Sequence, residues 1–354
     1  MGCLLLRPTP DFRFTISGAS QMTERIRLTQ IDGKLPNLAL MKLASWHRTR
    51  GDEIVFTREA HRDLFEDDYD RVYGSSIFTF SAPKIERFLA SWPDAILGGT
   101  GTGSALTVED IAGEHRGYDY SLYPAFTPSI GFTQRGCRLS CKFCVVPAKE
   151  GKARAVSTVA DIWRGPGHQK KLHLLDNDFF GQPEADWRTR IAEIKGGGFK
   201  VCFNQGINVR HIDEVSAAAL ASVEYRDDDF KERRLYTAWD NLKDEDIFFR
   251  GVDILEAAGV PAKHLRAYML VGFDKHETWD RIWHRFNRMV EREIEPFPMV
   301  YDCRAADPQC YRELKQFQRW VVTGLYRAVP WSEYDSSKKK RIELENVPIQ
   351  ASFF

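Results

Sequence analysis

Cys137, Cys141 and Cys144 lie together in the stretch GCRLSCKFC, with three residues in the first gap and two in the second. Thiolates at such spacing bind soft metals or act as nucleophiles. A structural zinc site closes four ligands around the ion, often as two CxxC pairs. Only the second gap here is CxxC, and His168 and His173 are loosely placed as further donors, which leaves zinc as a second choice. A catalytic thiol needs no such neighbours, and a disulfide would strand one of the three. Three thiolates on one tight loop suit a 4Fe–4S cube that keeps one iron open, since thiolates hold such clusters and tune them.

The elements that must carry this loop read as alternating strands and helices. From Ile26 to about Gly103 the chain alternates IRLTQI, PNLALMKLASWHRTRG, EIVF, SSIFTFS and DAILGG, which predicts a small α/β domain with a parallel sheet. GGTGTG, Gly98 to Gly103, follows a short strand but is neither GxGxxG nor followed by a Walker lysine, and reads as a turn. YDYSLYPAFTPS then reads as a linker. Beyond it, SIGFTQ, KLHLLDNDF, FKVCFNQG, RRLYTAW, HLRAYMLVGF and PFPMVYD are six strand candidates interleaved with helices. Near-continuous apolar strands of this kind form a parallel sheet covered by helices, with its working loops at the C-terminal strand ends. RELKQFQRWVVTGLYRAV predicts one more helix, with Leu314, Phe317, Val321 and Leu325 on a core face. SSKKKRIELEN reads as a solvated basic patch.

Composition sets further limits. The 354 residues suffice for one large or two medium domains, with 43% hydrophobic and 28% charged residues, as in ordinary globular proteins. Fifty basic and fifty acidic side chains balance, so net charge gives no support for nucleic acid or an anionic membrane as partner. Seven cysteines, an odd number unevenly spread, argue against an extracellular disulfide framework, and a cytoplasmic location is expected. No run approaches the length of a membrane span. Cys202, Cys303 and Cys310 read as free thiols, Cys202 as strand core.

The loop resembles the signature of the radical S-adenosylmethionine superfamily: three cysteines at CxxxCxxC spacing with an aromatic residue, here Phe143, just before the last. RGCRLSCKFCVVP is also similar to the loop of the methylthiotransferase and cobalamin-dependent branches, and the resemblance covers roughly residues 127–302. It implies a 4Fe–4S cluster on Cys137, Cys141 and Cys144 whose open iron is chelated by S-adenosylmethionine. An electron from an external flavodoxin- or ferredoxin-like donor would then cleave the sulfonium, and the resulting 5′-deoxyadenosyl radical would abstract a substrate hydrogen. The cofactor-binding positions it implies are Phe143, Arg154, Asp176, Asn177, Asp178, Asn204, Gln205, Asp240, Asn241, Gly272 and Phe273. Asn208 could line the same cavity, and Lys149 and Lys152 read as solvated.

The fold so implied is α/β. Residues 1–21 form a flexible extension, 22–117 a degenerate cobalamin-binding-type Rossmann-like domain, 118–302 a partial (β/α)6 radical SAM barrel, and 303–354 a helical C-terminal extension. The first domain contains no DxHxxG, so histidine-ligated cobalamin is not expected. It also contains no further cysteine cluster, and the tail reads helical rather than β-rich, which disfavours sulfur insertion into tRNA. A non-catalytic iron–sulfur electron carrier and a zinc-stabilised binding module are the readings from other classes. No residue identifies the substrate.

Overall fold

The computed structural model describes residues 23–304 and 306–335. The expected N-terminal extension and the basic SSKKKRIELEN segment lie outside them. The chain divides into two compact units, residues 1–122 and 123–354. No helix among the described residues is long and apolar enough to cross a membrane.

In the first unit, strands β1 (Arg25–Gln30), β2 (Glu53–Thr57), β3 (Arg71–Ser75) and β4 (Ile96–Gly98) form a parallel sheet in the order β2-β1-β3-β4. Helices α1 (Leu38–Thr49), α2 (Ala82–Ser91) and α3 (Val108–Ala112) complete it. Helix α1 starts where it does because Asn37 caps it: its side-chain oxygen accepts from the Leu40 N–H at 3.1 Å, and its amide donates to Ser75 Oγ at 2.8 Å. SSIFTFS is not a strand. Strand β3 ends on its first residue, Ser75, and the Ile77 and Phe78 N–H groups turn to the buried Asp32 carboxylate, 2.7 and 3.1 Å away, instead of joining the ladder. In GGTGTG, a Cβ on Gly99 would lie 2.2 Å from the Ser76 carbonyl oxygen, so the glycines serve close backbone packing.

The second unit holds two parallel sheets and a hairpin. Strands β5 (Ser129–Gly131), β6 (Gln134–Arg135), β7 (Arg154–Ala155), β8 (Lys171–Leu174), β9 (Lys200–Phe203), β10 (Glu224–Tyr225), β11 (Leu235–Ala238), β12 (Leu265–Val271) and β13 (Glu295–Val300) alternate with helices. These helices are α4 (Val146–Glu150), α5 (Val159–Ile162), α6 (Glu184–Gly197), α7 (Glu214–Ala221), α8 (Glu245–Ala257), α9 (Trp279–Glu291) and α10 (Pro308–Val322). The sheet orders are β10-β9-β8-β5 and β11-β12-β13, with β6 and β7 pairing antiparallel. A hydrogen bond from the Ile207 N–H to the Tyr236 carbonyl, 2.7 Å, ties the segment after β9 to β11. The strands described do not close into a barrel. Pro296 and Pro298 are tolerated in β13 because it is an edge strand, with one side free of ladder partners.

Alternation along the strands decides what each sheet face carries. Leu172, Leu174, Val201, Phe203, Leu235 and Met269 join the main core with α6 to α9. The intervening residues, His173, Cys202, Tyr236 and Tyr268, are buried or nearly so on the other face. Helix α10 begins and ends earlier than the apolar pattern suggested; Gly324 at φ +72° turns the chain, leaving Leu325 in a following 3-10 turn. Its Phe317 and Trp320 meet Trp283 and Phe286 of α9, mostly edge to face, at 5.2 to 5.8 Å between centroids.

Candidate functional site

The cysteine loop is pinned at its base by the β6–β7 hairpin, where Gln134 pairs with Ala155 and Arg135 with Arg154. The Cys137 N–H donates to the Gly151 carbonyl at 3.1 Å, and the Cys144 N–H to that of Cys141 at 3.1 Å. Gly136 is required in this turn: its φ is +79°, and a Cβ there would sit 2.2 Å from the Lys152 carbonyl oxygen. Glu150 fastens the loop from inside, accepting from Arg135 at 2.8 Å, from the Gly136 N–H at 3.2 Å and from the Asn177 amide at 2.7 Å. Burial alone would raise the Glu150 carboxyl, but these donors outweigh it and hold it below its ordinary value.

Asp178, with 1% of its surface exposed, anchors the loop to the end of β8. Its carboxylate accepts from Arg138 Nε at 2.8 Å and Nη2 at 3.1 Å, and lies 4.0 Å from the Cys137 sulfur. Its N–H donates to the Gln134 side chain at 2.9 Å, while the Gln134 amide donates to the Arg135 and Gly136 carbonyls. Phe143 reaches the other sheet: it meets Phe273 edge to face at 5.5 Å and packs with Leu270, Phe297 and Met299.

All three thiols are half-buried and unpaired. Burial raises the Cys137 thiol to about 11, and the negative charges of Asp178, Cys144 and Cys141 add to this. The Cys144 thiol is raised by burial, with Cys141, Asp240 and Glu150 adding. Thiols that repel one another's charge in a half-buried loop suit a cationic group that would hold them as thiolates. The donor trios whose atoms all lie within 4.8 Å of one another are found elsewhere, not among these cysteines. One tetrahedral zinc with Zn–S of 2.3 Å asks for sulfurs about 3.8 Å apart. Three sulfurs that do not all lie within 4.8 Å of one another do not form a ready-made single-ion site.

The other candidate residues divide. Asp176 holds structure: it accepts from the Thr133 N–H at 2.7 Å, the Gln134 N–H at 3.1 Å and the Thr133 hydroxyl, and burial pushes its carboxyl up to about 7. Asn177 is bound to Glu150, and exposed Arg154 donates to the Glu150 carbonyl at 2.6 Å, so both brace the loop. Asn204 turns to Asp228 at 2.5 Å, Gln205 is exposed and donates to Asn204, and Asn208 accepts from Arg210. Asp240 accepts from the Leu270 N–H at 3.0 Å, and burial raises its carboxyl; Asn241 lies against Asp244. Gly272, at φ +83°, donates its N–H to Glu277 at 2.7 Å. A Cβ there would lie 2.9 Å from Leu314 of α10, so helix packing already demands the glycine.

Gln134, Arg138, Glu150 and Arg285 were missed in the sequence. Arg285, on α9, is 1% exposed. It donates to the carbonyls of Trp239, Asp240 and Leu270 at 3.0 to 3.2 Å and pairs with Glu277. Its position in the helix marked it only by being charged on an apolar face. Comparison with protein-family models, with curated proteins and with solved structures finds no match.

Proposed function

We propose that this chain is a radical S-adenosylmethionine enzyme, its second unit a partial (β/α)6 barrel and its first a degenerate cobalamin-type domain. The observation that carries the reading is the cysteine loop itself: CxxxCxxC, pinned by a hairpin at the C-terminal end of a parallel strand and set against Phe273 across the sheets. Cys137, Cys141 and Cys144 would hold three irons of a 4Fe–4S cluster. When bound, such a cluster supplies the electron that cleaves the sulfonium of S-adenosylmethionine and so starts radical chemistry.

The rest of the work falls to this chain's own side chains. Glu150, Asp178 and Gln134 fix the loop's backbone so that the sulfurs are presented without reorganisation. Arg138 balances the Asp178 charge beside Cys137. Phe143, Phe273, Leu270, Phe297 and Met299 form an apolar wall that excludes water from the loop's inner side. Of the polar residues expected at the cofactor, Asp240, Asn241 and Gln205 would orient it, whereas Asp176, Asn177 and Arg154 act on the loop.

The test is anaerobic reconstitution with iron and sulfide, reduction with dithionite, addition of S-adenosylmethionine, and quantification of 5′-deoxyadenosine beside a Cys141→Ala control. Product from the parent alone is the expected result. Failure to assemble any iron–sulfur cluster would sink the reading. A cluster that neither binds nor cleaves the cofactor would make the chain an electron carrier.

A further inference from the structure

The sheet face of the second unit that does not meet α6 to α9 carries a second set of donors, distinct from the three loop cysteines. His173 of β8 and Cys202 of β9 are in register and fully buried. Asp228, from the segment between β10 and β11, completes the set. One ligand atom from each lies within 4.8 Å of the others. Asp228 Oδ1 stands 3.5 Å from His173 Nε2 and 3.5 Å from Cys202 Sγ. Zinc–donor bonds of 2.0 to 2.3 Å at tetrahedral angles put such atoms about 3.4 and 3.6 Å apart.

The independent observation is the imidazole. His173 is 0% exposed, yet neither Nδ1 nor Nε2 makes a hydrogen bond of good geometry: Nε2 faces the Asp228 carboxylate at 3.5 Å, with the Asn204 side chain beside the ring. Buried ring nitrogens are rarely left so. The Tyr268 hydroxyl, buried and without a hydrogen-bond partner among the described residues, feels the charges of Asp228 and Cys202. A second trio, Glu24, His47 and Asp52, meets the same distance criterion but lacks this feature. There His47 is spent on Asp52 at 2.7 Å and the Tyr73 hydroxyl at 3.2 Å.

We infer that His173, Cys202 and Asp228 form a second metal site, a three-ligand centre for a zinc-type divalent cation, with the fourth position left to a small donor ligand. Neutral imidazole, thiolate and carboxylate sum to two negative charges, so a divalent ion leaves the buried site neutral. The carboxylate is already aimed: the Asn204 amide donates to Oδ1 at 2.5 Å and the Tyr236 hydroxyl to Oδ2 at 2.8 Å. Phe126 and Phe230 flank the imidazole at 6.0 and 6.3 Å, a dry shell that raises the cost of leaving the donors empty. The Asp228 side chain is 18% exposed and gives the ion its way in. This site does not depend on what the cysteine loop binds.

The experiment uses the full chain with Cys137, Cys141 and Cys144 all changed to alanine, so that the loop cannot ligate metal. A serine triple variant is run in parallel in case the alanine form misfolds. Cobalt(II), the spectroscopic stand-in for zinc, is titrated anaerobically. The expected result is one equivalent bound, with the sulfur-to-cobalt charge-transfer band and the strong visible bands of four-coordinate cobalt. Adding Cys202→Ser should abolish the charge-transfer band, and Asp228→Asn, which keeps shape and hydrogen bonding, should weaken binding tenfold or more. Far-UV circular dichroism establishes that each variant is folded. A folded triple variant that binds no cobalt overturns the inference. So does a charge-transfer band that survives Cys202→Ser, since it would come from another thiol.

Discussion

Replacing Arg285 by methionine removes one buried cation from four acceptors at once: the Trp239, Asp240 and Leu270 carbonyls and the Glu277 carboxylate. Breaking a buried pair from one side costs about 3–5 kcal/mol, because the remaining charge is left without compensation. The carbonyls add to this less than their number suggests, since net hydrogen-bond worth is about 1 kcal/mol and the three share one donor atom. A loss of about 4 kcal/mol is therefore expected from the second unit. With a urea slope of about 2–3 kcal/mol per molar, the midpoint of that unit's transition falls by roughly 1.3–2 M. Tryptophan fluorescence follows it, because Trp279, Trp283, Trp320 and Trp331 sit together in that core. The decisive variant is the double one, Arg285→Met with Glu277→Gln. Glutamine keeps an acceptor for the Gly272 N–H and carries no charge, so about 2 kcal/mol should return. A single-variant loss below about 1 kcal/mol, or a double variant no better than the single, would refute the account.

Further expectations concern the loop and its supports. Asp176 has a folded pKa raised to about 7, so the native state holds the extra proton above the unfolded value, and its contribution is full below about pH 4 and lost as pH rises through 7. Asp176→Asn can keep all three partners, with its carbonyl accepting from the Thr133 and Gln134 N–H groups. Urea melts should show it more stable than the parent at pH 8, by up to about 4 kcal/mol, with the gap closing toward pH 4; a pH-independent difference would contradict this. Gly136→Ala forces a side chain into φ +79° against the Lys152 carbonyl, so hydrogen exchange at the Cys137 amide should accelerate at least tenfold, and unchanged protection would remove the steric argument. Phe143→Ala should lower the second unit's stability by about 1–3 kcal/mol, through lost packing on Phe273 and Leu270, without changing the first unit's melt.

What could be read from the sequence was what periodicity and spacing carry. Six of the nine strands of the second unit, β5, β8, β9, β11, β12 and β13, fall on their predicted stretches, which turn signals bound, whereas β6, β7 and β10, two residues each, are too short to carry a pattern. The error at SSIFTFS has a tertiary cause: Asp32, more than forty positions away, takes the N–H groups that the pattern assigned to a ladder. The loop's cysteines were legible as a set, but its fasteners were not. Glu150 meets Asn177 across 27 positions and Asp178 meets Arg138 across 40. Cys202, read as strand core, is fully buried in β9 as expected, but nothing in its own stretch reveals that β8 sets a histidine directly beside it.

The hairpin that carries the cysteines bears on the order of assembly during synthesis. Its closing contacts are local, Arg135 to Glu150 across 15 positions, so little loop entropy opposes them and the turn can form while the chain downstream is still unfinished. Asp178 arrives only 41 residues after Cys137, once β8 exists. Thiols gathered before that carboxylate reaches them face less electrostatic opposition to shedding their protons. Were the loop to take up the proposed cluster, delivery would therefore be easiest to a nascent chain, and refolding in the presence of iron and sulfide should load it faster than adding them to the finished chain.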